Sequence, residues 1–109
     1  MKIVAFLAVA LLAASASSLQ AASAQENWNK DCMQCHGKNG AADTKMGKLL
    51  KAKDLTSAEV QASFTDSQAA DAIKNGIKEN GKMKMKAFAG KLSDDEVKAL
   101  VAYVRSLKK

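Results

Sequence analysis

The sequence predicts a small all-α domain of about four helices, and three observations carry that expectation. Thr56-Ser57-Ala58-Glu59 and Ser93-Asp94-Asp95-Glu96 both have capping-box spacing, in which a hydroxyl and a carboxylate each satisfy an amide at a helix start. Val97, Leu100, Val101 and Val104 then recur at helical spacing, and no segment reads as a strand. With 109 residues, a formal charge of +6, two cysteines, one histidine and no proline, the chain describes one small domain.

A leader precedes the domain. Lys2 supplies a positive start, Ile3 to Ala14 is an almost unbroken apolar run, and small residues follow to Ala24. This is the pattern of a secretory signal peptide, with Ala22-Ser23-Ala24 as the cleavage site, Ala14-Ser15-Ala16 as second choice, and Gln25 as the new N-terminus. The run falls short of the ~20 residues a membrane-crossing helix needs. The expected organisation is therefore a signal peptide over 1–24 and one domain over 25–109, free of a membrane span and exported from the cytoplasm.

Within the domain, a short helix is expected from Glu26 to about Met33, carrying Trp28 one turn ahead of Cys32 so that Trp28 anchors the shared face. Gly37 to Leu55 has weak periodicity and reads as a loop with Leu49, Leu50 and Leu55 turned inward. Thr56 caps a helix reaching about Phe64. Asp66 caps the next, which ends at Asn75-Gly76, a residue pair suited to a left-handed exit. Gly81 to Lys86 leads on to the last helix, where Asp94, Asp95 and Glu96 sit at the positive end of the dipole.

Residues 25–109 hold Trp28, Tyr103, Phe64 and Phe88 as their large aromatic residues, little for a core of this size. Residues 32–36 read Cys-Met-Gln-Cys-His, the C-x-x-C-H spacing of c-type haem attachment. Two thiols on one helical turn can add to the two vinyl groups of one haem, and the adjacent His36 can offer its imidazole to the iron. The expected domain thus wraps around one covalently bound haem c. Competing explanations of the two cysteines are weaker. A thioredoxin-type pair belongs in a βαβ setting, and a structural zinc site needs four N or S ligands where the chain has three such residues. A disulfide between Cys32 and Cys35 would leave the core unfilled.

His36 is the only histidine, so a second histidine ligand from the same chain is excluded. Met33, Met46, Met83 and Met85 are candidates for the sixth position, with lysines or water as weaker ones. Met33 lies inside the attachment motif, and Met46 follows it closely. Met83 and Met85 stand in the lysine-rich segment Gly81-Lys82-Met83-Lys84-Met85-Lys86, where thioethers need a reason to be buried; ligation supplies one.

Cys32 to His36 continuing into Gly37-Lys38-Asn39-Gly40, together with Met85-Lys86-Ala87-Phe88 and Ala102-Tyr103-Val104-Arg105, is similar to the class I c-type cytochromes, particularly the short bacterial ones, over the whole of 25–109. The resemblance implies a small cytochrome c fold in which Met85, rather than Met83, is the sixth ligand. It also implies that the last helix packs on the first, with Trp28 near Tyr103 or Val104. The chain departs from the family at two places: Lys86 stands where proline usually follows the methionine, and no proline follows the attachment motif to offer its carbonyl to the proximal imidazole. Another carbonyl, near Lys45 or Met46, would have to take that part.

A haem held on both faces has no open position for substrate, so the expectation is a soluble periplasmic carrier of single electrons, not an enzyme. Lys82, Lys84 and Lys86 bracket the proposed ligand and Lys38, Lys45 and Lys48 follow the motif, which suits docking to an acidic face on a redox partner. Nucleic-acid binding is a poor account of this charge without an aromatic reading surface. A monomer is the default for a diffusing carrier. The alternative is a gas-binding or sensing module whose methionine is readily displaced.

Overall fold

The computed structural model describes residues 23–109, so the expected leader lies outside the described residues except for Ser23 and Ala24 of its cleavage motif. The first helix, α1 (23–36), is α-helical over 23–27, widens into a π-turn over Trp28–Cys32, and closes as an α-turn over Met33–His36. The Met33 amide donates to the Trp28 carbonyl, one residue further back than in an α-helix. Trp28 and Cys32 are the buried residues of this turn, as the shared face requires.

Gly37 to Leu55 holds a short helix, α2 (Lys45–Leu49), where the sequence reads as a loop; the Thr44 hydroxyl caps it by accepting from the Gly47 amide. Leu55 turns inward, but Leu49 does not and is 72% exposed. Helix α3 (Ala58–Ala62) is capped by Ser57 rather than Thr56, because Asp54 accepts both the Thr56 hydroxyl and the Thr56 amide. Helix α4 (Asp66–Asn75) is capped by Thr65, not Asp66, in a capping box with Gln68. It stops at Gly76 as expected, but with φ +74 and ψ −176, an extended exit in place of the left-handed helical one.

The fold is helix-rich but not strictly all-α as the sequence predicts. Ile77–Glu79 (β1) and Lys82–Met85 (β2) form a two-stranded antiparallel sheet, with Ile77 opposite Met85 and a bulge between Ile77 and Lys78. Asn80 and Gly81 at its tip have φ +54 and +77, the double positive φ of a type I′ turn, for which Asn-Gly is the preferred pair. The last helix, α5 (Asp94–Ser106), begins in the expected Ser93–Glu96 capping box.

Val97, Leu100, Val101 and Val104 on α5 are all buried and meet Trp28, Cys32, Leu55, Ile73, Phe88 and Leu92 in one cluster. Trp28 faces Tyr103 with ring centroids 5.4 Å apart, the expected pairing of first and last helices. Asn27 adds an amide hydrogen bond to Glu96, and Lys91 pairs with Asp31. Arg105 ties α5 to the other side: its guanidinium lies over the Phe64 ring and donates to the Gln61 and Phe64 carbonyls, the Gln61 side chain and Asp66. The buried Gln61 in turn donates to the carbonyls of Leu55 and Val104.

Candidate haem-attachment site

The end of α1 presents Cys32, Cys35 and His36 on one turn. Cys32 is buried, Cys35 is half-buried, and both thiols are free. Burial, with smaller contributions from the charges of Asp31 and Cys35, pushes the Cys32 thiol up to about 12, so it is kept protonated. Burial likewise pushes the His36 imidazole below its usual range, which favours the neutral ring that an iron ligand must be.

The carbonyls of Cys35, His36 and Gly37, where the turn ends, each have a donor. Thr44 Oγ1 donates to the Cys35 carbonyl at 3.0 Å, the Ala42 amide to that of His36 at 2.9 Å, and Trp28 Nε1 to that of Gly37 at 3.1 Å. The result is a rigid turn, with α2 pressed against it. Gly47 makes that approach possible: a Cβ there would overlap the Cys35 carbonyl oxygen and lie 2.9 Å from the Ala42 carbonyl. His36 Nδ1, by contrast, is buried with no hydrogen-bond partner, so no carbonyl near Lys45 or Met46 serves it. The ring is held instead against Trp28, 5.6 Å away between centroids and tilted by 36°.

The candidate sixth ligands fall into two groups. Met33 and Met46 are each 37% exposed and Met83 is 45% exposed. Met85, the last residue of β2, is half-buried and packs against the core cluster that contains Cys32 and Trp28. The terminal methyl of Met83 lies over Gly76. The hairpin thus brings Met85 to the core that α1 enters, and leaves the other three at the surface. Of the lysines around it, Lys84 pairs with Glu79 at 2.6 Å, while Lys82 and Lys86 extend into solvent.

These residues fit a haem better than a bare metal. Among the described residues no group of three or more His, Cys, Asp or Glu side chains could hold an ion, which removes a zinc-type cage. Two thiols and a neutral imidazole on one turn, with an unpaired buried ring nitrogen, match covalent attachment plus iron ligation. Met33, Met46, Leu49, Ile77 and Met83 are large apolar side chains that the polypeptide alone leaves exposed. Two participants were not foreseen from the sequence. Thr44 could have been found from its place before α2, whereas nothing local marks Gly47.

Comparison with known proteins agrees. The family described as cytochrome c oxidase, cbb3-type, subunit III matches residues 19–104. Among solved structures, "KustC0563 c-type cytochrome" is 36% identical, with TM-score 0.71, over 79% of this chain and 98% of its own. A tyrosine-to-phenylalanine mutant of Kustc0563 is 35% identical, with TM-score 0.69, over 79% of this chain and 99% of its own. No curated protein matches the chain. The attachment turn, the helix-rich fold with its small hairpin, and a match that spans most of the sequence lead to one assignment: the chain belongs to the cbb3-type subunit III family of small c-type cytochromes.

Proposed function

We propose that this protein is a single-haem electron carrier that works outside the cytoplasm, with Cys32 and Cys35 holding haem c through thioether bonds and His36 and Met85 as the two axial ligands. The observation that carries the reading is the attachment turn, where both thiols and a neutral imidazole are presented together on a backbone whose last three carbonyls each have a donor. When bound, haem c supplies a one-electron couple. The chain's own residues orient it and exclude water: Trp28 packs on the His36 ring, Gly47 admits α2 against Cys35, and Met85 offers a thioether, which favours the reduced state.

With both axial positions taken by side chains, substrate has no place at the iron, which supports a carrier over an enzyme. Residues 1–24 would direct export and be removed; among the described residues no helix is long and apolar enough to cross a membrane. Lys82 and Lys86, with Lys38, Lys45 and Lys48, form the basic surface for an acidic redox partner, met by a diffusing monomer. The gas-binding alternative draws its support from Lys86 following Met85 without the fixed φ of a proline. The pairing of Met85 with Ile77 supports the carrier instead.

The test is the visible spectrum of protein matured in a host with a haem-attachment system. The carrier reading expects the weak far-red methionine-to-iron band in the oxidised form, lost in Met85→Ala and kept in Met83→Ala. Absence of the band in wild type, with immediate carbon monoxide binding on reduction, would overturn it in favour of gas binding.

A further inference from the structure

The backbone on either side of Met85 is fixed by different partners. Upstream, β2 pairs with β1, with Ile77 opposite Met85. Downstream, the Phe88 amide donates to the Ile73 carbonyl at 2.9 Å and the Ala89 amide to that of Lys74 at 3.1 Å, so the chain is stitched to the last turn of α4. Gly76 lies between these two attachments, with φ +74 and ψ −176, a region essentially confined to glycine. A Cβ on Gly76 would overlap the Met85 carbonyl oxygen, lie 2.7 Å from the Met83 terminal methyl and 3.0 Å from the Ala87 amide nitrogen. The Met85–Ala87 backbone therefore rests directly on the bare Gly76 backbone.

Gly81 makes the contrast. It also has positive φ, +77, yet nothing lies within 4 Å of the place its Cβ would occupy. Gly76 at the end of α4 and Gly81 in the hairpin turn thus share a positive φ, and Gly76 has a close approach as well.

We propose that Gly76 is the positioning residue for the Met85 thioether: its missing side chain lets the Met85–Ala87 backbone close on the end of α4 and fixes the ligand segment where Lys86 offers no proline to do so. The proposal rests on the reading of Met85 as the sixth ligand. It assigns the stiffness of that segment to backbone contact across the α4–β1 junction, in place of a locked dihedral angle next to the methionine. A side chain at residue 76 would push the Met85 carbonyl away, and none of the atoms it would meet belongs to the buried cluster of Trp28, Ile73 and Phe88, which stays able to form.

The experiment compares haem-loaded wild type, Gly76→Ala, Gly81→Ala and Met85→Ala. Gly76→Ala is expected to lose most of the far-red band and to bind carbon monoxide when reduced, with its helical far-ultraviolet signal intact. Gly81→Ala should keep the band. Retention of the full band in Gly76→Ala, or equal loss in both glycine variants, would overturn the proposal, the second because positive φ alone would then account for the effect. A wild type without the band, or a Met85→Ala that retains it, removes the ligand reading and the proposal together, and so is told apart from failure of Gly76 alone. If Gly76→Ala yields no loaded protein, hydrogen exchange on Met85→Ala decides. Positioning is reciprocal, so loss of the ligand should speed exchange of the Ile77–Glu79 amides about tenfold. Unchanged exchange there would overturn the proposal.

Discussion

Replacing Arg105 tests whether the terminal helix is held by a polar clamp as much as by its apolar stripe. Its guanidinium donates to the Phe64 carbonyl at 2.7 Å, to the Gln61 carbonyl and to Gln61 Oε1 at 3.0 Å, and it sits 4.4 Å from the centre of the Phe64 ring. The Asp66 pair, at 2.8 Å, joins side chains 32% and 73% exposed, so it adds only ~0–1 kcal/mol. A charged donor on a carbonyl contributes ~1.5 kcal/mol at the low end, fitting for these half-exposed acceptors. The stacked cation adds ~0.5–1 kcal/mol. Arg105→Ala should therefore cost about 3 kcal/mol, and at ~4–8 °C per kcal/mol for a domain of this size the Tm should fall by about 12–24 °C. Arg105→Lys keeps a charge near Asp66 but loses the planar fork that reaches two carbonyls at once, so it should recover less than about half of that loss. Urea titration of the haem-loaded protein, followed by far-ultraviolet circular dichroism, reads both. A cost below about 1 kcal/mol for Arg105→Ala, or a lysine variant as stable as wild type, would refute the clamp.

Four further outcomes are expected. The Ser93 amide and the Asn27 side chain hold the Glu96 carboxyl below its usual range, so the folded state gains stability above the unfolded pKa and loses it as pH falls through the lower, folded one. Thermal melts from about pH 6 down to 3 should show a shallower acid decline in Glu96→Gln than in wild type. Trp28→Phe keeps the ring packing but leaves the Gly37 carbonyl only the longer bond from the Gly40 amide, at 3.3 Å, a loss of about 0.5–1.5 kcal/mol measurable in the same urea titration. Gly47→Ala, favourable by about 1 kcal/mol in an ordinary helix, should instead lower the yield of haem-loaded protein because its Cβ meets the Cys35 carbonyl, while Gly90→Ala, in open space, should not. In stopped-flow oxidation by ferricyanide, Lys82→Ala and Lys86→Ala should each slow the rate more than Lys84→Ala, whose charge Glu79 already balances, and the difference should shrink with added salt.

What is legible in the sequence follows from how local each signal is. The attachment motif is contiguous, so its chemistry can be read from five residues. The last helix combines a capping box with a stripe of four aliphatic residues, and both are realised in the structure. The caps before Ala58 and Asp66 are each displaced by one residue from the sequence expectation because several hydroxyls and carboxylates compete there; Asp54 takes Thr56, which leaves the cap to Ser57. The hairpin escapes a sequence reading although Asn80-Gly81 is a strong turn signal. Lys82-Met83-Lys84-Met85 does alternate, but it lacks β-branched and aromatic residues, and Ile77-Lys78-Glu79 before the turn offers one apolar residue only, so neither flank reads as a strand. Residue type alone places Leu49 inward, and its position on α2 turns it outward. The Arg105 clamp joins residues some forty positions apart, and Gly76 acts through a backbone approach; sequence spacing encodes neither.

The hairpin also bears on how copies of this chain behave when crowded. A two-stranded sheet has two free edges, each a row of unpaired backbone groups that a second copy could extend. Here Lys78 stands on one strand and Lys82 and Lys84 on the other, with Lys86 just beyond. Adding a strand from another copy would bring these ammonium groups together across a ladder, where like charges directly opposite are destabilising. The strand that ends at Met85 is thereby guarded against polymerising, and the lysines that surround Met85 protect solubility whether or not a partner is present.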